Sequence, residues 1–300
     1  MNINELLTAE QKQYFTTKND FSAFRILITN WLMITLAFFI VAKWPNIFTI
    51  LFSLIVLGNR QLGLAVLMHE CGHRIFFATK EYNEFFGQWF CAYPALQDMQ
   101  LYAKGHLKHH QFSGTPDDPD LNNYQHYPID KASFKRKIIR DLTGQTGFKL
   151  LIYLFGSLKD PITGTKRNRD GFIKGLQANA ILLLVLTIFG VPQLYLLWLV
   201  AFLTTFMLFL RLRQVAEHGA VPDLLDTDPQ KNTRTTLASW WERLTFAPNF
   251  VNYHLEHHML ASVPNYRLPE FHQFLKNQGA LESEGVFPGY LAVFRHAVHS

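Results

Sequence analysis

A chain of 300 residues with 49% hydrophobic and only 17% charged residues is poorer in charge than an ordinary soluble domain. Its mean hydropathy is just +0.03, so the apolar residues must gather in segments with polar stretches between them. The net charge of +5 is dispersed over loops without a recognition motif, which argues against nucleic acid as a partner. The two cysteines, Cys71 and Cys91, are too few for a disulfide framework or for cysteine-ligated iron–sulfur or haem sites.

Residues 1–20 are polar and carry no signal-peptide pattern. The first apolar run, 21–42, has the length that crosses a bilayer. Lys43-Trp44-Pro45-Asn46 turns the chain, with Trp44 where aromatics favour the interface. The return run, 47–68, is interrupted by Gly58-Asn59-Arg60-Gln61. Arg60 is costly against lipid, so the helix is expected to leave the membrane near it and deliver His69 and His73 at its end. Residues 84–102 are too short and polar to span, and fit an interfacial or re-entrant segment or a buried soluble helix. Residues 103–171 read as polar and basic. Two further apolar runs, 176–190 and 194–210, flank the turn Val191-Pro192-Gln193, and from Arg211 the chain is polar again.

This pattern predicts an all-α fold in one domain over 1–300. Four transmembrane helices carry a helical cap made of 69–175 and 211–300. Of the 28 Lys and Arg, only Lys43 falls in the two short turns on the far side. The excess of positive charge therefore places both termini and the cap in the cytoplasm of a multi-pass membrane protein. A basic cytoplasmic face also suits anionic headgroups.

The chemistry lies in three histidine clusters. His69-Glu70-Cys71-Gly72-His73 has i, i+4 spacing, while His106-Leu107-Lys108-His109-His110 and His254-Leu255-Glu256-His257-His258 have i, i+3, i+4 spacing. On a helix such residues project from one face. One His–x–x–His pair is a weak signal, but two triplets and a pair together point to metal. Imidazole suits iron, copper and zinc, and eight donors exceed what one ion takes, which points to two ions. His218 follows the fourth span near the point where the second delivers His69, and is a ninth candidate. Gln214 lies one turn before it. Glu70, Glu217 and Glu256 adjoin cluster histidines and are candidates to accept a ring N–H. Because neighbours on a helix face different ways, each is expected to serve a histidine from another segment. His126, His272, His296 and His299 stand alone and read as structural or surface residues.

The three clusters on four spans, with Asp118-Pro119-Asp120 and Asn252-Tyr253 beside them, resemble the integral-membrane fatty acid desaturase family over roughly residues 20–275, especially its bacterial members grouped with rhizobitoxine-type desaturases. The resemblance implies a bacterial inner-membrane enzyme with a non-haem di-iron centre that activates O₂ to remove two hydrogens from an acyl chain. His69, His73, His106, His109, His110, His254, His257 and His258 would be the ligands, and His218 the additional one. No nucleotide fingerprint or fused haem domain is visible, so an external ferredoxin or cytochrome-type electron donor is expected, and a membrane lipid or acyl substrate. A hydroxylase or carotenoid ketolase of the same superfamily shares the pattern. His69-Glu70-Cys71-Gly72-His73 also fits a zinc-protease motif, though that reading leaves the other clusters without a purpose.

Overall fold

A computed structural model describes residues 3–159 and 166–299 of the chain. It is almost wholly helical. The helices that position the site are α1 (Asp20–Lys43), α2 (Ile47–Gly72), α3 (Met99–Phe112), α4 (Gln145–Lys159), α5 (Lys166–Ile188), α6 (Tyr195–Leu203), α7 (Thr205–His218) and α8 (His254–Met259). Strand structure among the described residues is confined to two-residue parallel pairs, Ile129–Asp130 with Val298–His299 and Thr235–Thr236 with Val286–Phe287.

Four helical stretches are long and apolar enough to cross a membrane: Ala9–Lys43, Ile47–Gly72, Arg169–Ile188 and Pro192–His218. They extend the apolar runs at their ends, except that the third stops at Ile188. The chain reverses between α1 and α2 after Trp44 caps the first helix, and Asn46 starts the next. Its side chain accepts from the Phe48 and Thr49 amides while Thr49 reaches back to the Asn46 amide. Ile34, Ala37, Phe38 and Val41 of α1 then share a buried cluster with Leu57 and Leu64 of α2 and Trp198 of α6. Leu32, Leu36 and Phe39 on α1 and Ile181 and Leu184 on α5 point outward, as lipid-facing side chains would.

The fourth span is bent. Thr204 leaves helical geometry between α6 and α7. The bend lies where this span crosses Gly58, at which a Cβ would stand 2.2 Å from Thr205 Oγ1. The Thr205 hydroxyl instead donates to the Leu54 carbonyl at 2.7 Å. Only a glycine lets the two backbones come this close.

Arg60 does not mark an exit from the helix. α2 runs unbroken to Gly72, and Arg60 is buried inside the bundle. Its guanidinium donates to Asn59 and, at 3.2 Å, to Asn30 of α1. Asn30 donates to Asn249 at 3.0 Å, and Asn249 donates to the Gly63 carbonyl at 2.9 Å. A buried charge is tolerable when its donors are met in this way. The network ties α1 and α2 to the loop that leads into α8.

Residues 84–102 form a short helix, a π-helical turn at Gly87–Ala92 and a 3₁₀ turn at Tyr93–Ala95, with Phe85 and Phe90 exposed. The stretch 103–171 is less polar than its composition suggests. Within it α4 exposes Phe148, Ile152, Tyr153 and Phe155. The apolar run 150–155 is too short to span a membrane, and the polar residues on either side outweigh it in the stretch as a whole.

Candidate metal centre

Four segments deliver the nine predicted histidines to one place. α2 ends at its base with His69 in the last turn and His73 as C-cap. α3 brings His106, His109 and His110, α7 ends in His218, and α8 consists largely of His254, His257 and His258. The ligand atoms fall into two groups, each within 4.8 Å of one another: His69, His73, His106, His110 and His257, and then His109, His218, His254 and His258.

The triplets do not act as single units. In α3 the i, i+4 pair His106 and His110 joins the first group and the intervening His109 the second; in α8 the pair His254 and His258 joins the second and His257 the first. Each of these helices therefore stands between the two groups and serves both. The i, i+3, i+4 pattern is what this requires, since i and i+4 point slightly to one side of the helix and i+3 to the other. The groups adjoin: the rings of His110 and His258 stack with centroids 4.4 Å apart.

Outer partners fix which ring nitrogen points inward. His69 Nδ1 donates to Glu70 at 3.0 Å, His109 Nδ1 to Asp118 at 2.9 Å and His218 Nδ1 to the Asn232 carbonyl at 2.9 Å. A neutral imidazole with a protonated Nδ1 presents a bare lone pair at Nε2. The Nε2 atoms nevertheless crowd together, at 2.7 Å for His69–His106, 2.9 Å for His106–His110, 3.0 Å for His110–His257 and 2.9 Å for His218–His254. The single in-plane position on His106 Nε2 cannot bond both neighbours. His73 Nε2 in the first group and His258 Nε2 in the second are buried without any partner. One cation in each group would resolve both conflicts, so the donor set fits two metal ions.

Protons are kept away by burial. Burial pushes His73 down to about 4 and holds His106, His254, His257 and His258 well below the usual imidazole range, neighbouring imidazoles adding to the effect. The rings stay neutral and able to ligate at physiological pH. Asp118, the partner of His109, is held below its usual value: burial pushes it up, but hydrogen bonds from His109 and Tyr124 outweigh that.

The carboxylates expected to orient ligands divide. Glu70 serves its own neighbour His69, contrary to the expectation that it would serve another segment; the Glu70 carboxylate also accepts from the Asn265 amide at 2.8 Å. Glu217 does reach another segment, lying 3.6 Å from His254 Nδ1, and is itself paired with Arg213 at 2.6 Å. Glu256 touches no cluster histidine. It accepts from His272 Nδ1 at 2.5 Å and from Thr235, since residue i+2 of the α8 triplet points to the opposite side of the helix. Gln214 faces a cavity that His106, His109, His218 and His254 also line. Sequence reasoning passed over Asp118 as an orienting residue, Tyr124 stacked on His218, and Tyr102 stacked on His106. An acidic residue eight positions after the central cluster was a signal for the first; the aromatic contacts left none.

Among the described residues, four helices long and apolar enough to cross a membrane and two adjoining polyhistidine groups able to hold metal define the class of protein. Residues 42–287 match the fatty acid desaturase family, and the chain belongs to it. It is 28% identical over 238 residues to the dihydrorhizobitoxine desaturase of Bradyrhizobium elkanii, a match covering 72% of this chain and 64% of that protein. The chain thus spans under two thirds of the curated relative it matches.

Proposed function

We propose that the protein is a membrane-bound, O₂-dependent desaturase acting on an acyl chain, with two iron ions held by the nine histidines. The observation that carries this is the division of those histidines into adjoining groups of five and four. Iron in such a site supplies the oxidising power that an unactivated C–H bond demands and that side chains lack. Two hydrogens leave the chain, and with two electrons from a donor and two protons the O₂ becomes two waters. The protein's own part is positional. Glu70, Asp118 and the Asn232 carbonyl hold Nδ1 protons and aim Nε2 inward. Buried rings exclude water and stay unprotonated.

The histidine face, with both termini, lies in the cytoplasm on this reading, where a ferredoxin or cytochrome-type donor can reach it, drawn by the basic surface. The engagement of Glu70 with His69 and Asn265 speaks against the protease reading, in which that carboxylate must be free to act as a base. The test is expression in a host with simple lipids, followed by iron analysis of the purified protein and mass spectrometry of its lipids, with the substrate named for the relative, dihydrorhizobitoxine, assayed beside them. About two irons per chain and a product lighter by two hydrogens are expected. A product heavier by one oxygen means a hydroxylase, and zinc without iron overturns the reading.

A further inference from the structure

We infer that Asn265 is a positioning residue for the five-histidine group and holds His257 through a single ordered water. This rests on the desaturase reading and deepens it. His257 Nε2 faces the group, 3.0 Å from His110 Nε2, so the ring carries its proton on Nδ1, at the far edge. His69, His109 and His218 each donate that Nδ1 proton to an acceptor on the protein. His257 Nδ1 is buried and, among the described residues, meets no acceptor. Asn265 Oδ1 is an acceptor that is buried and, among the same residues, meets no donor. Both residues line one cavity of about 20 Å³. A cavity of that size has room for one water, and this donor and acceptor supply the polar partners a buried water takes.

The other polar groups around the cavity are engaged elsewhere. Glu70 accepts from His69 Nδ1 and from the Asn265 amide. Arg213 Nε donates to Glu217 at 2.6 Å, and His254 Nδ1 lies 3.6 Å from the same carboxylate. The charge of Arg213 is thereby matched, so nothing draws an anion into the space, and a neutral water fits it. Asn265 is held for this task. Its Nδ2 donates to the Asn249 carbonyl at 3.1 Å, which fixes the amide plane and leaves Oδ1 for the water. Asn249 belongs to the buried network that joins α1 to α2, so the support reaches back into the bundle. Asn265 thus stands behind two histidines of one group, His69 through a carboxylate and His257 through a water. Partners of this kind orient the ring and raise the basicity of the ligating nitrogen, and a bridging water transmits the bond at nearly full strength.

Asn265→Leu replaces the amide by an apolar group of the same branching and keeps the backbone N–H that Glu70 needs. Full-length, iron-loaded protein in lipid is dialysed against a graded chelator, with circular dichroism measuring the folded fraction, and iron is counted per folded chain. The variant is expected to release about one iron per chain at a chelator concentration about 10–100-fold lower than the unaltered protein, and to keep the other. Adding Asp118→Asn should release the second early as well. A purely structural role for Asn265 would lower the melting temperature without this selectivity. Release of both irons together from Asn265→Leu, or release no earlier than from the unaltered protein, overturns the inference. The unaltered protein offers a test that no folding defect can spoil. At a resolution that shows waters, density should stand within about 3 Å of both His257 Nδ1 and Asn265 Oδ1, and an empty site there overturns the inference. Zinc in place of iron, released with the same selectivity, ends the desaturase reading and leaves the inference standing; iron released without selectivity does the reverse.

Discussion

Asp118 shows how one side chain outside the ligand set can govern a metal. Its carboxylate accepts the Nδ1 proton of His109 and is fixed in turn by Tyr124. In Asp118→Asn the amide accepts more weakly and lets the ring turn. Loss of such a partner typically weakens metal binding about 10–100-fold. His109 serves only the four-histidine group, so dialysis against a graded chelator should remove iron from that group first and leave about one iron per chain. Simultaneous loss of both irons would show that the groups are not separable. Glu256 gives the opposite expectation although it lies inside a histidine triplet. It bonds His272 and Thr235 and no ligand, so Glu256→Gln should leave the iron content unchanged. It should lower thermal stability by about 1–3 kcal/mol, the range for a buried polar group left poorly paired. A variant that lost iron but kept its melting temperature would contradict the assignment.

At the scale of elements, the helices were legible in the sequence and their partners were not. The four apolar runs coincide with the four long helices, the third to within two residues, because their length and hydropathy are properties of contiguous sequence. The histidine spacing announced one face per helix, and the structure refines this to one helix shared between two histidine groups. What remained hidden depends on residues far apart in the chain. Arg60 reads alone as an exit from the membrane, whereas Asn30, 30 residues earlier, accepts from it inside the bundle. Glu256 reads as the partner of a cluster histidine on another segment, whereas its side chain meets His272, which had read as structural or surface. Asn30→Leu tests the seam. It removes the acceptor of Arg60 and the donor to Asn249, leaving buried polar groups unmet, so stability should fall by about 1–3 kcal/mol with the iron content of the remaining folded protein unchanged. Unfolding in graded denaturant with circular dichroism would measure it, and an unchanged midpoint would show that the network is not needed to join α1 to α2.

At the scale of the molecule, the histidine site is also the clasp that joins the long helices to the rest. Four segments spread from His69 to His258 meet there, and without metal their inward lone pairs oppose one another. Folding and metal binding are therefore linked, and acid should act on both. An unfolded histidine titrates near 6.5, whereas His73 in the folded chain is held down at about 4. Between those values the unfolded chain binds a proton that the folded chain refuses, so stability rises with pH across that window, by up to about 1.4 kcal/mol per pH unit for each such group. The metal-free protein should be most stable above about pH 7 and lose stability steadily as the pH falls from 6.5 toward 4. Metal adds a second term. A ligand that binds only the folded state at about a thousand times its dissociation constant contributes about 4 kcal/mol, and protons compete for the same lone pairs. Melting curves of metal-free and iron-loaded protein in one lipid, taken from pH 8 to pH 5, should therefore lie well apart at pH 8 and converge toward pH 5. Parallel curves would mean that the histidines are not what the metal and the protons share.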